Sequence, residues 1–256
     1  MQKPKIFDCF PFFNELELLD LRFMELYDAV DYFVLVEANK THTGNKKDFI
    51  FEKNKDIFKD YLDKIVYVKV TDLPDPDPKN PWNAENFQRN AISRGLEGKA
   101  VKGDKILVSD VDEIPSTAAI AENMENPHPT VFKQSLYYYY VNCRVSRNWG
   151  GTVMATYGDF PSPQFLRKIA IRHGVGIYPG GGWHYSYLAG GNPEKIMYKA
   201  ENIVDHFMGH STGNKEELVQ RIDNLKDLYG RTNRFAQLKI VDICSDKPRS
   251  MDKFLK

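Results

Sequence analysis

The 256-residue sequence carries 35 basic and 35 acidic residues, and 42% of it is hydrophobic and 13% aromatic. Zero net charge excludes a global field toward nucleic acid or an anionic membrane, so an anionic ligand must be held locally, and the apolar fraction supports a sizeable core within one domain. Cys9, Cys143 and Cys244 are odd in number and widely spaced, which fits a reducing compartment and argues against a disulfide framework or a thiolate zinc site.

Residues 1–10 hold too short an apolar run for a signal peptide, since Asp8 interrupts it. Nothing approaches 18 uncharged apolar residues, so no transmembrane segment is expected and the protein reads as cytoplasmic, at most peripheral to a membrane. Residues 5–13 predict a strand, and 15–29 repeat apolar residues at helical spacing behind Asn14 as a cap. Strands follow at 32–37 and 65–70, with 45–62 as a loop leading into a helix. Residues 83–96 predict another helix, stopped at Gly98, before a strand that ends at Ser109. Four prolines between Pro74 and Pro81 forbid regular structure there. After Pro129 the character changes. Residues 131–145, 165–171 and 183–188 read as strands, and 193–207 and 215–229 as helices.

Strand and helix in alternation imply crossover connections. The expected fold class is therefore α/β, with a Rossmann-like, mostly parallel sheet over residues 1–115 and a mixed half over 116–256. The second half would close over a second substrate within one domain.

Ser109-Asp110-Val111-Asp112-Glu113-Ile114-Pro115 is the most informative run, because an apolar strand discharges into three carboxylates within four residues. Like charges this close repel unless something positive sits among them, and a hard divalent ion with oxygen ligands is the usual remedy. Alternation would aim Asp110 and Asp112 to one side and Val111 to the other, and Pro115 would stop the strand. In open α/β sheets ligands bind beyond the carboxyl ends of strands, where these acids lie. Asp112 is the expected metal ligand, with Asp110 on the metal or the donor ribose. Glu113 either orients the acceptor or caps the helix that follows. Arg89, just ahead of this strand, is a candidate for forking onto a phosphate or ribose oxygen, against a solvated helix surface. Glu37, at the end of the second strand, is a candidate for contacting base or sugar.

The second informative run is Gly180-Gly181-Gly182-Trp183-His184-Tyr185-Ser186. Its glycines permit close approach of backbone to a ligand, and the Trp183 ring suits a sugar face. His184 is either a ligand to cation or diphosphate, or a satisfied structural residue. Tyr137 to Tyr140 should alternate, two filling core and two facing out.

Ile6-Phe7-Asp8-Cys9-Phe10, Val36-Glu37-Ala38-Asn39 with Thr41-His42-Thr43-Gly44, Gln88-Arg89, the Asp-Val-Asp-Glu-Ile-Pro run and Gly182-Trp183-His184-Tyr185-Ser186 together resemble glycosyltransferase family 17. The resemblance spans residues 6 to about 210. It implies a GT-A fold, a nucleotide-sugar donor (UDP-GlcNAc in the animal member), a divalent metal such as Mn²⁺ or Mg²⁺, and inversion at the anomeric carbon. A glycan or glycolipid acceptor is expected in place of a glycoprotein. Inversion calls for one base, for which Asp159 and Glu201 are candidates, with Asp205 behind them. The rival readings are a metal-dependent phosphohydrolase or nucleotidyltransferase on the same carboxylates, and a non-catalytic glycan-binding module built on the aromatic strands.

Overall fold

The computed structural model describes residues 3–169, 175–232, 238–243, 247–248 and 251; Cys244 and positions 170–171 lie outside them. The strands β1 (Ile6–Phe12), β2 (Tyr32–Ala38), β3 (Ile65–Val70) and β4 (Lys105–Val108) pair in parallel in the order β3-β2-β1-β4. Their near-continuous apolar runs suit a sheet covered on both faces. Alternate residues serve opposite layers. Phe7, Val34, Val36 and Ile106 pack beneath Ile92 and Leu96, while Phe10, Phe33, Leu35 and Leu107 pack beneath Leu19, Phe23 and Leu26.

The covering elements refine the predicted ones. Helix α1 (Leu16–Leu26) starts without a side-chain cap, so Asn14 does not play that part. Helix α2 (Ile50–Asn54) continues into a 3₁₀ segment, Lys55–Lys64. The helix expected over 83–96 is two, α3 (Asn83–Asn90) and α4 (Ile92–Leu96), broken at Ala91, whose N–H is shared between the Phe87 and Gln88 carbonyls.

Past the acids lie β5 (Glu113–Pro115) and α5 (Thr117–Glu122), the latter capped by Ser116, whose hydroxyl accepts the Ala119 N–H. The long strand expected over 131–145 is a hairpin of β6 (Thr130–Tyr138) and β7 (Cys143–Thr156). It turns at Tyr139, which takes φ +64°. Tyr137, Tyr138 and Tyr139 are all buried, because this strand has core on both faces. The strand expected at 165–171 is instead helix α6 (Pro163–Ile169) over its described part. Pro163 opens that helix, and Leu166 and Ile169, three apart, share its buried side.

The chain continues through β8 (Gly176–Tyr178), β9 (Gly182–Ser186), α7 (Pro193–Asn202), α8 (Lys215–Asp223) and β10 (Lys239–Ile240). From β4 the sheet runs on through β7, β6, β9 and β5. β7 is antiparallel to both β4 and β6, β9 is parallel to β6, and β5 is antiparallel to β9. The sheet is thus mixed, and its uninterrupted parallel block is confined to the first four strands. Pro115 ends a strand, as expected, but that strand is the separate β5 and not β4, and it stands opposite Gly182.

Candidate active site

In the order β3-β2-β1-β4 the chain reverses direction of travel across the sheet between β1 and β4, and ligands bind beyond the carboxyl ends of strands at such a point. A cavity of about 1110 Å³ opens there. Pro11, Phe12 and Phe13 line it from the end of β1, Asp110, Val111 and Asp112 from the turn after β4, and Lys199 and Asn202 from α7. In a chain of zero net charge, eight cationic side chains face five carboxylates around this wall, which leaves it positive.

The acids leave β4 as a turn, closed by the Glu113 N–H donating to the Asp110 carbonyl at 3.0 Å. Both aspartates line the cavity for that reason, and not through strand alternation. A buried arginine fixes the turn from beneath. Arg22 on α1 donates to both carboxylate oxygens of Asp8 on β1, at 2.7 and 2.6 Å, and to Ser109 Oγ at 2.6 Å. It also donates to the carbonyls of Asp110, Val111 and Glu113 at 2.9, 3.1 and 3.1 Å. Arg22 and Asp8 are fully buried, so neither can lose its partner without stranding a charge.

Each aspartate has its own counter-charges. Arg89 donates to Asp110 Oδ1 at 2.8 Å and Arg167 to Oδ2 at 3.1 Å. Burial opposes ionisation of Asp110, yet the two guanidiniums hold its pKa down at about 2. Lys199 donates to Asp112 Oδ2 at 3.0 Å, and His184 Nε2 stands 3.4 Å from Oδ1. Burial again opposes the charge, and Lys199 and His184 overcome it, keeping Asp112 well below the usual carboxylate range. The Lys199 ammonium is buried, which works against its charge, but Asp112 and Glu15 (2.7 Å) raise its pKa.

The structure brings Asp110, Asp112, Arg89 and His184 together on the cavity wall. Glu113 lies behind it, fully buried; it does not line the cavity, and Ser116, not Glu113, caps the helix that follows. Glu113 accepts from Arg167 and Trp149 Nε1 at 2.6 Å each and from the Asp110 N–H at 2.9 Å. Glu37 is also fully buried and turned away: it accepts the N–H groups of Ile50 and Phe51 at the start of α2, the Tyr67 hydroxyl and Lys47. Trp183 alternates with His184 and packs with Leu18, Ile114 and Tyr185 instead of facing the cavity. Asp159 is exposed in the turn after Thr156, opposite Lys105 at the start of β4 and so at the far end of the sheet from Asp110. Glu201 is exposed on α7 and does not line the cavity; Asp205 does. The glycine run approaches neighbouring strands and not the cavity: a Cβ on Gly182 would stand 2.1 Å from the Ile114 carbonyl oxygen, and one on Gly181 2.5 Å from Phe132 Cβ.

A divalent ion fits one pair here. Two donors side by side on an octahedral ion with ~2.1 Å bonds stand about 3 Å apart, close to the 3.4 Å between Asp112 Oδ1 and His184 Nε2. No group of three or more His, Cys, Asp or Glu suited to a metal occurs among the described residues. The remaining ligands of such an ion would come from substrate oxygens and water, as is usual for Mg²⁺.

Sequence reasoning misses Arg22, Asp8, Arg167 and Lys199. The first two do leave a signal, a charge inside an apolar helical stripe and another inside a doubly buried strand. Arg167 and Lys199 leave none, because helical lysines and arginines are ordinarily solvated.

Comparison with known proteins identifies the family. The family model described as Glycosyltransferase family 17 matches residues 1–250. The β-1,4-mannosyl-glycoprotein 4-β-N-acetylglucosaminyltransferases of Homo sapiens and Rattus norvegicus are each 26% identical to this chain over 137 residues. The matched stretch covers 50% of this chain and 26% of each relative, so the chain spans about a quarter of the length of these proteins. With the family model covering nearly every residue, the chain belongs to glycosyltransferase family 17.

Proposed function

We propose that this chain is a metal-dependent inverting glycosyltransferase of GT-A type that moves N-acetylglucosamine from UDP-GlcNAc to a glycan or glycolipid acceptor. The observation that carries the reading is the Asp110–Asp112 turn, which opens at the carboxyl end of β4 onto a positive cavity of about 1110 Å³. That volume exceeds the ~300–1,000 Å³ of a single small-molecule site and suits two substrates. The family membership and the acetylglucosaminyltransferase relatives support the donor sugar.

In this reading Arg89 and Arg167 hold Asp110 in one orientation, from which its exposed edge can accept a donor hydroxyl. Asp112 and His184 would hold the ion, and Mn²⁺ or Mg²⁺, when bound, supplies positive charge to the departing diphosphate. Lys199 and Arg167 add fixed cations on the same wall. The test is titration calorimetry of the purified chain with UDP-GlcNAc and Mn²⁺, followed by assay of UDP release. Binding that disappears in Asp112→Ala supports the proposal. Absence of binding and of turnover in the unmodified protein refutes it.

A further inference from the structure

We propose that Asp205 is the general base that takes the proton from the acceptor hydroxyl, an assignment that rests on the transferase reading above. Of the second-half carboxylates considered from sequence, Asp205 alone lines the cavity. It sits in the 3₁₀ turn Val204–His206 directly after α7, the helix that presents Lys199 to Asp112. Its side chain is 31% exposed, so it is open to a substrate while held in place. Tyr187 and Tyr229 both donate to its Oδ2 at 3.0 Å, and their hydroxyls stand 2.5 Å from one another. Oδ2 is thus engaged twice from the cavity wall, and the His210 ring nitrogen stands 3.7 Å from Oδ1.

The placement matches the reaction. The Lys199 ammonium, bonded to Asp112, lies 5.4 Å from the centre of the Tyr187 ring, and the hydroxyl of that ring reaches Asp205. Tyr187 thus touches both the cation that holds Asp112 and the carboxylate of Asp205, and all four residues line the same cavity. Tyr138, Tyr187 and Tyr229 supply apolar faces with polar tips around this carboxylate, a suitable lining for an acceptor sugar. In the step itself the acceptor oxygen forms a bond to the anomeric carbon from the face opposite the diphosphate. The bond from that carbon to the diphosphate oxygen breaks, its electron pair leaves with UDP, and the acceptor proton passes to the Asp205 carboxylate. The acid formed returns its proton to solvent.

The test uses the full chain with UDP-GlcNAc, Mn²⁺ and p-nitrophenyl β-D-mannoside, alongside release of the sugar to water. Asp205→Asn should lower turnover at least 100-fold, the range general-base loss produces, with UDP affinity within twofold and an unchanged melting temperature. Tyr229→Phe, which keeps the carboxylate and removes one of its two donors, should lower turnover only several-fold. Glu201→Gln, on the exposed side of α7, should match the unmodified protein. Turnover by Asp205→Asn above a third of the unmodified rate overturns the assignment and leaves the transferase reading standing. An unmodified chain that neither binds nor consumes UDP-GlcNAc removes both.

Discussion

Replacing Arg22 with methionine tests whether the acidic turn is held from beneath. The change keeps much of the side-chain volume but deletes six hydrogen bonds: two to Asp8, one to Ser109 Oγ and three to the carbonyls of Asp110, Val111 and Glu113. Removing one partner of a buried pair costs about 3–5 kcal/mol, because the other charge is left uncompensated. Each stranded buried acceptor adds on the order of 1 kcal/mol unless water reaches it. A loss of at least about 4 kcal/mol is expected, a large part of the ~5–15 kcal/mol that holds a domain folded. For a chain of this size that corresponds to a fall in melting temperature of roughly 8–16 °C. Urea denaturation followed by circular dichroism measures it. Adding Asp8→Leu should restore about 2–3 kcal/mol by removing the buried charge, yet UDP binding should stay impaired because nothing holds the three carbonyls. An Arg22→Met protein within 1 kcal/mol of the unmodified one would refute the reasoning, as would recovery of UDP binding in the double variant.

Three further outcomes follow from the same geometry. Glu113→Gln removes the charge that Arg167 and Trp149 share at 2.6 Å; it should cost about 2 kcal/mol in urea denaturation and weaken UDP binding, although residue 113 does not line the cavity. Gly182→Ala should destabilise by about 3 kcal/mol, since Gly182 has φ +135° and its added Cβ would meet the Ile114 carbonyl at 2.1 Å; normal stability would mean that β5 and β9 separate freely. Asp110, with its pKa lowered to about 2, should make folding sensitive to acid. A depressed carboxyl contributes stability that is complete above the ordinary value near 3.9 and fades as pH falls toward 2. The contribution is roughly 2 kcal/mol, and the difference in stability between pH 6 and pH 2 should shrink by that amount in Asp110→Asn.

What the sequence discloses follows from how locally each feature is encoded. The four parallel strands are legible because burial on both faces demands uninterrupted apolar runs, and those runs are printed in order. Residues 165–171 mislead because Phe165, Leu166 and Ile169 in a short stretch fit a strand as well as a helix; Pro163 and the three-residue spacing of Leu166 and Ile169 favour the helix. Glu37 and Trp183 show the limit of reading a site from strand ends. One residue's choice of face sends Glu37 into the start of α2 and Trp183 away from the cavity, while His184 next to it meets Asp112.

The acidic run raises the question of which cation it keeps. Repulsion among Asp110, Asp112 and Glu113 requires positive charge nearby, a conclusion that needs only their spacing. The protein supplies much of it from residues 22, 89, 167 and 199, none of which lies within 20 residues of the run. The chain topology brings these four helices, distant in sequence, to one sheet edge, so their pairing is a property of the topology and not of any local pattern. Pairing also divides the two aspartates. Asp110 has an arginine on each oxygen, and withdrawing it would break two charge-assisted bonds at once. Asp112 has one lysine, on a flexible stem, and one imidazole at 3.4 Å. A divalent ion would compete more readily with a single ammonium than with two guanidiniums, so under the proposed function Asp112 is the carboxylate that would exchange its counter-charge for an ion while Asp110 keeps both arginines.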